Sequence, residues 1–174
     1  MNDMAVIHAL WIGEKKPDRV SQWIQNVIGA NYSHNAFIFE KTGMLWEATF
    51  DDEEKNCGVV SKPPRLAMQG CIIRARKKIE LVVTNDYFEE WLEEERGKRY
   101  SQGQNAGTIW AWTQSLFRNG DDARNCSELL AAACQFSRYK FPRCKDYIKP
   151  TDTFKVIQPD IVDEVVDANW RFRL

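Results

Sequence analysis

The stretch RNCSELLAAAC, residues 124–134, holds two of the chain's five cysteines. Asn125 precedes Cys126, and Glu128 follows three residues after Asn125. That spacing is a capping box, in which the Asn side chain and the Glu side chain satisfy each other's backbone amides. It sets the helix start at Asn125 and leaves Cys126 in the first turn. There the unpaired N–H groups and the positive end of the helix dipole favour a thiolate over a thiol. The same N–H groups can donate to an oxyanion. Cys134, two turns further along an apolar helix, has neither service and reads as inert. Taken alone, Cys126 also fits a small buried side chain, since free cysteine is among the most buried residue types.

A nucleophilic cysteine needs a base, and there are two histidines. His8 lies inside an apolar strand and reads as a satisfied core histidine. His34 opens a strand directly after the polar turn NYS, where a side chain reaches a cleft, and is the better partner. The base needs an orienting group on its other ring nitrogen. Glu47, in LWEATF, is a lone charge within an apolar strand that forms a hairpin with the strand of His34. If Glu40 pairs with Gly43, Ala36 faces Glu47 and His34 faces Thr49. His34 and Glu47 then share one face as diagonal neighbours ~7 Å apart at the backbone. A slip of one residue sends them to opposite faces. Asn35 and Asp51 are the fallback orienters.

Other chemistries fit the sequence poorly. Two scattered histidines and cysteines without C-x-x-C spacing do not make a zinc site, so no metal is expected. No phosphate-binding glycine loop and no G-x-S-x-G occur, and KTG stands without S-x-x-K, so no cofactor is expected either. A formal net charge of −1 gives no field to attract nucleic acid or an anionic membrane. RARKK (74–78) and EEWLEEER (89–96) have opposite signs and read as solvated faces. No run approaches the ~20 apolar residues of a membrane helix, so stable insertion is not expected. The start MNDMAVIHALWIGEKK lacks a basic region and reads as a strand rather than a signal peptide. An odd number of cysteines points to a reducing compartment, the cytoplasm, rather than a disulfide scaffold.

The elements that must position these residues follow from periodicity. Residues 4–12 predict a strand. Asp18 can cap a helix with Val20, Trp23, Ile24 and Val27 on one face, ended by Gly29. SHNAFIFEKTGMLWEATF predicts a hairpin around KTG. GVVSKPPRLAMQG reads as a loop broken by two prolines, and CIIRARKKIELVVT as one or two strands. NDYFEEWLEEERG predicts a helix capped by Asn85, with Tyr87, Phe88, Trp91 and Leu92 on its apolar face and Gly97 at its end. YSQGQNAG and RNGDDARN read as loops flanking a buried helix, TIWAWTQSLF. The cysteine helix is nearly all small or apolar and should be central. The tail predicts one short helix and a final strand. With 174 residues and seven tryptophans, the pattern is one α+β domain, residues 1–174, with a well-filled core.

YSHNAFIF, MLWEATF and NCSELLAAA together resemble the circularly permuted group of NlpC-type, papain-like cysteine hydrolases, of which lecithin:retinol acyltransferase-like enzymes are distant members. That group carries His on one strand, a polar residue on the next, and Cys at the start of a late helix. The order here is His34, Glu47, Cys126. Ser33-His34 matches the family's S-H, Glu47-Ala48 its E-A, and Cys126-Ser127-Glu128-Leu129 its C-S-E-L. Pro150-Thr151-Asp152 matches a following P-x-D. The likeness spans residues 5 to 155, and Asn35 stands where the family has a small apolar residue. It implies a central antiparallel sheet or partial barrel packed against helices, with the nucleophile at a late helix N-terminus. It also implies Cys126 as nucleophile, His34 as base and Glu47 as orienter, acting on a peptide-like or acyl substrate. The Cys126 N–H is then one oxyanion donor. Tyr32 is a second donor, a cleft wall or a packed turn aromatic, and Asn125 and Glu128 support the helix cap. Amide hydrolysis, acyl transfer or thioester cleavage on a lipid-like group, and a catalytically silent binding module are the readings the residues leave open. Oligomeric state is not legible in the sequence.

Overall fold

The computed structural model describes residues 3–17, 19–49, 58–100, 123–141 and 148–172. β1 (Met4–Glu14) is apolar apart from His8 and the terminal Glu14 and is buried along most of its length. Such a strand must be covered on both faces, and it lies inside the sheet. The hairpin β2 (His34–Phe39) and β3 (Met44–Thr49) adds on one side, followed by β4 (Gly58–Lys62). β5 (Cys71–Thr84) and the edge strand β8 (Asp160–Val165) add on the other. All five pairings are antiparallel, in the order β4-β3-β2-β1-β5-β8. The result is an α+β fold whose sheet stays open and does not close into a barrel.

Strand alternation splits the core in two. Ile7, Ala9, Trp11, Phe37, Phe39, Trp46 and Ala48 face a cluster with Phe88 and Leu92 of α3 (Asn85–Glu95). Leu129, Leu130 and Ala133 of α4 (Cys126–Cys134), with Ile157 of α5 (Pro150–Ile157), complete that layer. Leu10, Ile12, Ala36, Ile38, Leu45 and Ile73 point the other way, against Met68, Val166 and Trp170. α4 is central, as its composition requires: eight of its side chains are buried.

Several local expectations change in detail. The segment read as a proline-broken loop holds β4 and a short helix α2 (Pro64–Ala67). GVV is too short to signal a strand by itself, and it becomes one by pairing with β3. Pro64 sits at the first helical position, where its missing N–H leaves no bond unmade. CIIRARKKIELVVT is one strand with a bulge: pairing jumps from Trp11↔Ala75 to Ile12↔Ile73, leaving Arg74 as the extra residue. The α3 cap is Thr84, whose hydroxyl accepts from the Tyr87 N–H, and Asn85 is already helical. Tyr87 is more than half exposed, so the buried face of α3 is carried by Phe88 and Leu92. α1 (Arg19–Ile28) ends at Gly29, whose φ of +65° suits a residue without Cβ. Trp23 on α1 is 46% exposed. The side chains of Val20, Ile24 and Val27, the expected cap Asp18 and the expected helix TIWAWTQSLF lie outside the described residues, as do Asp51, Cys57 and Cys144. A two-residue parallel contact between β6 (Arg99–Tyr100) and β7 (Ala123–Arg124) delivers the chain to α4.

Candidate active site

The hairpin register decides whether His34 and Glu47 meet. The ladder closes at Phe39↔Met44, with Ile38↔Leu45 and Phe37↔Trp46 behind it. Residues 40–43 form the turn, held by Gly43 N–H to Phe39 O at 2.8 Å, with Gly43 at φ +67°. The turn is wider than two residues, but the phase of the pairing is the one that puts His34 and Glu47 on a common face. His34 Nε2 donates to Glu47 Oε2 at 2.9 Å. The Glu47 side chain is only 10% exposed and that of His34 27%, so the bond is shielded while the ring stays approachable.

Gly13 brings His34 to that place. A Cβ at Gly13 would lie 2.4 Å from Asn31 O, so only glycine allows the 31–33 turn to run this close to β1. Ser33 N–H then bonds Ile12 O at 3.1 Å, which starts β2 beside β1 at His34.

Cys126 comes from the other side. Asn125 Oδ1 accepts from the N–H groups of Ser127 and Glu128, both at 2.9 Å, and Glu128 Oε2 accepts from Asn125 N–H at 2.8 Å. This is the full capping box, a feature whose loss costs about 1 kcal/mol. Leu129 N–H goes to Asn125 O. The cap therefore engages the neighbouring amides but not that of Cys126, which remains a first-turn donor at the positive helix end. Glu128 is committed to the cap. Upstream, the buried carboxylate of Glu95 receives Arg124 Nε at 3.0 Å and pairs with Lys98, clamping the chain two residues before the cysteine.

The electrostatics of the pair run in opposite directions. Burial opposes charge on His34, but the Cys126 sulfur and the Glu47 carboxylate outweigh it and hold the imidazole up at about 10. Burial likewise pushes Cys126 up. The positive His34 ring and its hydrogen bond, the Asn35 main-chain N–H and the Ser127 hydroxyl overcome it, so the thiol lies below its ordinary value. Each member favours the charged form of the other, which is a thiolate–imidazolium pair. With Nε2 on Glu47, Nδ1 is the ring nitrogen left for the sulfur. The other described thiols lack this support: burial raises Cys71 to about 11, followed by the charges of Glu14 and Glu47, and burial alone raises Cys134 further.

The remaining candidates fall elsewhere. Tyr32 is buried and stacks on Phe154 of α5, with ring centroids 5.3 Å apart, so the packed-aromatic role is the one its ring fills. Burial, then the charge of Asp152, pushes its hydroxyl up to about 12, which keeps it a neutral donor. His8 bonds Glu40 at 2.8 Å and packs on Phe172, a satisfied buried histidine. Asn35, the fallback orienter, points to the opposite face from His34. Its amide bonds Leu10 O, and its oxygen accepts from Ser127 and Thr153. Thr153 carries no signal in the sequence and Ser127 enters only as part of C-S-E-L, because their partner Asn35 is 118 and 92 residues away. Among the described residues no three His, Cys, Asp or Glu side chains gather to hold a metal ion, and no helix is long and apolar enough to cross a membrane. Comparison of the chain with known protein families, with curated proteins and with solved structures finds no match to any of them.

Proposed function

We propose that this chain is a cysteine hydrolase of the permuted papain-like kind, cleaving an amide bond in a peptide, cell-wall peptide or isopeptide-like substrate. The observation that carries the reading is the His34 Nε2–Glu47 Oε2 bond at 2.9 Å, supported by mutual electrostatics that raise the imidazole and lower the Cys126 thiol. The Cys126 thiolate attacks the carbonyl carbon. The Cys126 N–H, left over by the capping box, donates to the oxyanion that forms. The His34 imidazolium gives its proton to the leaving amine as the C–N bond breaks, leaving a thioester and a neutral ring. His34 then takes a proton from water, the hydroxide attacks the thioester carbonyl, and the carboxylic acid departs as the thiolate and imidazolium are restored. Glu47 holds the ring orientation and supports its positive form throughout.

The test is alkylation by iodoacetamide near pH 6, resolved by site, in the intact chain and in His34→Ala. Cys126 should react fastest of the five thiols, and His34→Ala should slow it by tenfold or more, the loss of the low-pH thiolate. Equal rates across the cysteines, or no dependence on His34, would overturn the reading. Incubation with peptide, cell-wall and lipid-ester substrates, with Cys126→Ala as blank, then separates amide cleavage from acyl transfer and from a silent binding module.

A further inference from the structure

Asn35 has no solvent exposure and touches three other elements. Its main-chain N–H is among the groups that hold the Cys126 thiol below its ordinary value. Its Oδ1 accepts from Ser127 Oγ, on the residue after the nucleophile, at 3.0 Å and from Thr153 Oγ1 of α5 at 3.0 Å. Its Nδ2 donates to Leu10 O of β1 at 3.3 Å. Thr153 is tied in turn: its single hydroxyl proton is shared between Asn35 Oδ1 and Pro150 O, the latter at 2.7 Å, and Trp11 Nε1 of β1 donates to Thr153 Oγ1 at 3.1 Å and to Pro150 O at 3.2 Å. Asn35, Ser127 and Thr153 are all buried, and so is Trp11. A buried amide with this many partners is rigid, because releasing any one of them strands a polar group away from water.

We infer that Asn35 is a positioning residue for Cys126, tying the start of α4 to β2 through its side-chain oxygen on the Ser127 hydroxyl, with Thr153 of α5 as the brace behind it. The tie falls on the residue after Cys126, so it sets the distance and rotation of the helix start and holds the sulfur towards the ring of His34, the neighbour of Asn35 on the same strand. Without the side chain the helix start is free to pivot. The supports that keep the thiol ionised act over short distances and weaken together. Ser127 Oγ, 3.9 Å from the sulfur, is one of them. A small apolar residue at position 35 would remove the 3.0 Å acceptor of the buried Ser127 hydroxyl and one of the two acceptors of Thr153, so the amide and the two hydroxyls form one device.

This inference rests on the Cys126–His34 pair, and its test separates the two. The pH profile of Cys126 alkylation is recorded between about pH 5 and 10 on the intact chain and on Asn35→Ala, Thr153→Val, Thr153→Ser and Ser137→Ala. Thr153→Val removes one hydroxyl while keeping shape, so it reports even where Asn35→Ala fails to fold. Thr153→Ser restores the hydroxyl. Ser137→Ala deletes a bond from an equally buried hydroxyl at the far end of α4, Ser137 Oγ to Cys134 O at 2.7 Å, which lies off the site. The expected result is a midpoint displaced upward in Asn35→Ala and Thr153→Val, read as about tenfold slower alkylation at pH ~6 with recovery at high pH. Thr153→Ser and Ser137→Ala should keep the parent profile. A Thr153→Val profile that superimposes on the parent, or an equal displacement in Ser137→Ala, overturns the positioning role. A parent profile that is itself independent of His34 overturns the pair and this inference with it.

Discussion

Exchanging Glu47 for Gln keeps a side-chain oxygen for His34 Nε2 and removes the charge. The bond is 2.9 Å long, and the Glu47 side chain is only 10% exposed. A hydrogen bond to a charged group in such a place is worth about 1.5–3 kcal/mol. Gln leaves a neutral bond worth about 0.5–1.5 kcal/mol, so the difference of about 1–1.5 kcal/mol, at about 1.4 kcal/mol per pH unit, moves the His34 midpoint down by about 1. From about 10 in the parent, the ring should titrate at about 9 in Glu47→Gln. The chain has two histidines, so ring NMR resonances can be followed through a pH titration with little overlap. His8 serves as internal reference: its partner is Glu40 rather than Glu47, and burial sets it below its ordinary value. The alkaline limb of kcat/KM should descend with the His34 midpoint, since above it no imidazolium remains to protonate the leaving group. A His34 midpoint unchanged by Glu47→Gln would refute the orienting role. A parent ring titrating near 6.5 would refute the ion pair itself.

Two further outcomes follow from the same geometry. His34, raised from 6.5 to about 10, stabilises the fold fully below 6.5, and that contribution is lost as pH rises through 10; Cys126, lowered from 9.0, contributes above 9.0 and loses it as pH falls through its folded value. From the folded midpoint of Cys126, or 6.5 where that is higher, up to about 9, the folded pair and the unfolded residues hold the same single proton. The difference in urea stability between the parent and a His34→Ala/Cys126→Ala double variant should therefore be flat in that window and shrink on both sides; a steady slope across it would count against the pair. Gly13→Ala sets a methyl 2.4 Å from Asn31 O, so the turn before His34 must shift. The expected loss is about 1–3 kcal/mol in urea unfolding together with slower Cys126 alkylation, and a parent-like midpoint would remove Gly13 from the positioning scheme.

What could be read from the sequence depended on how local its physics was. The capping box of Asn125 and Glu128 needs only four consecutive residues, and it stands as the spacing requires. The phase of the His34–Glu47 hairpin follows from one turn and a period of two, so it survived a turn wider than expected. The 58–70 segment reads as a loop in sequence because GVV gains its identity from pairing with β3 and Pro64 from its place at a helix start. Thr84 displaced Asn85 as cap because the strand runs on to its last hydroxyl residue before turning. Asn35 was considered for the wrong task. Neighbouring strand residues point to opposite faces, so the residue beside His34 could not share its ring. Its own partners, Leu10, Ser127 and Thr153, come from three separate parts of the chain and left no pattern to find.

The long gap between the two halves of the site has a consequence for when the protein becomes reactive. His34 and Glu47 are 13 residues apart on one hairpin, whereas the contact joining β2 to the start of α4 spans 92. Made from its N-terminus, the chain presents the hairpin first and the cysteine helix late, and contacts of such separation form slowly. Until α4 docks, Cys126 has neither imidazolium nor Asn35 amide beside it and behaves as an ordinary thiol, largely protonated at neutral pH. On the proposed reading, the Cys126 thiolate comes with completion of the fold, and a partly made or partly unfolded chain carries the thiol in protonated form.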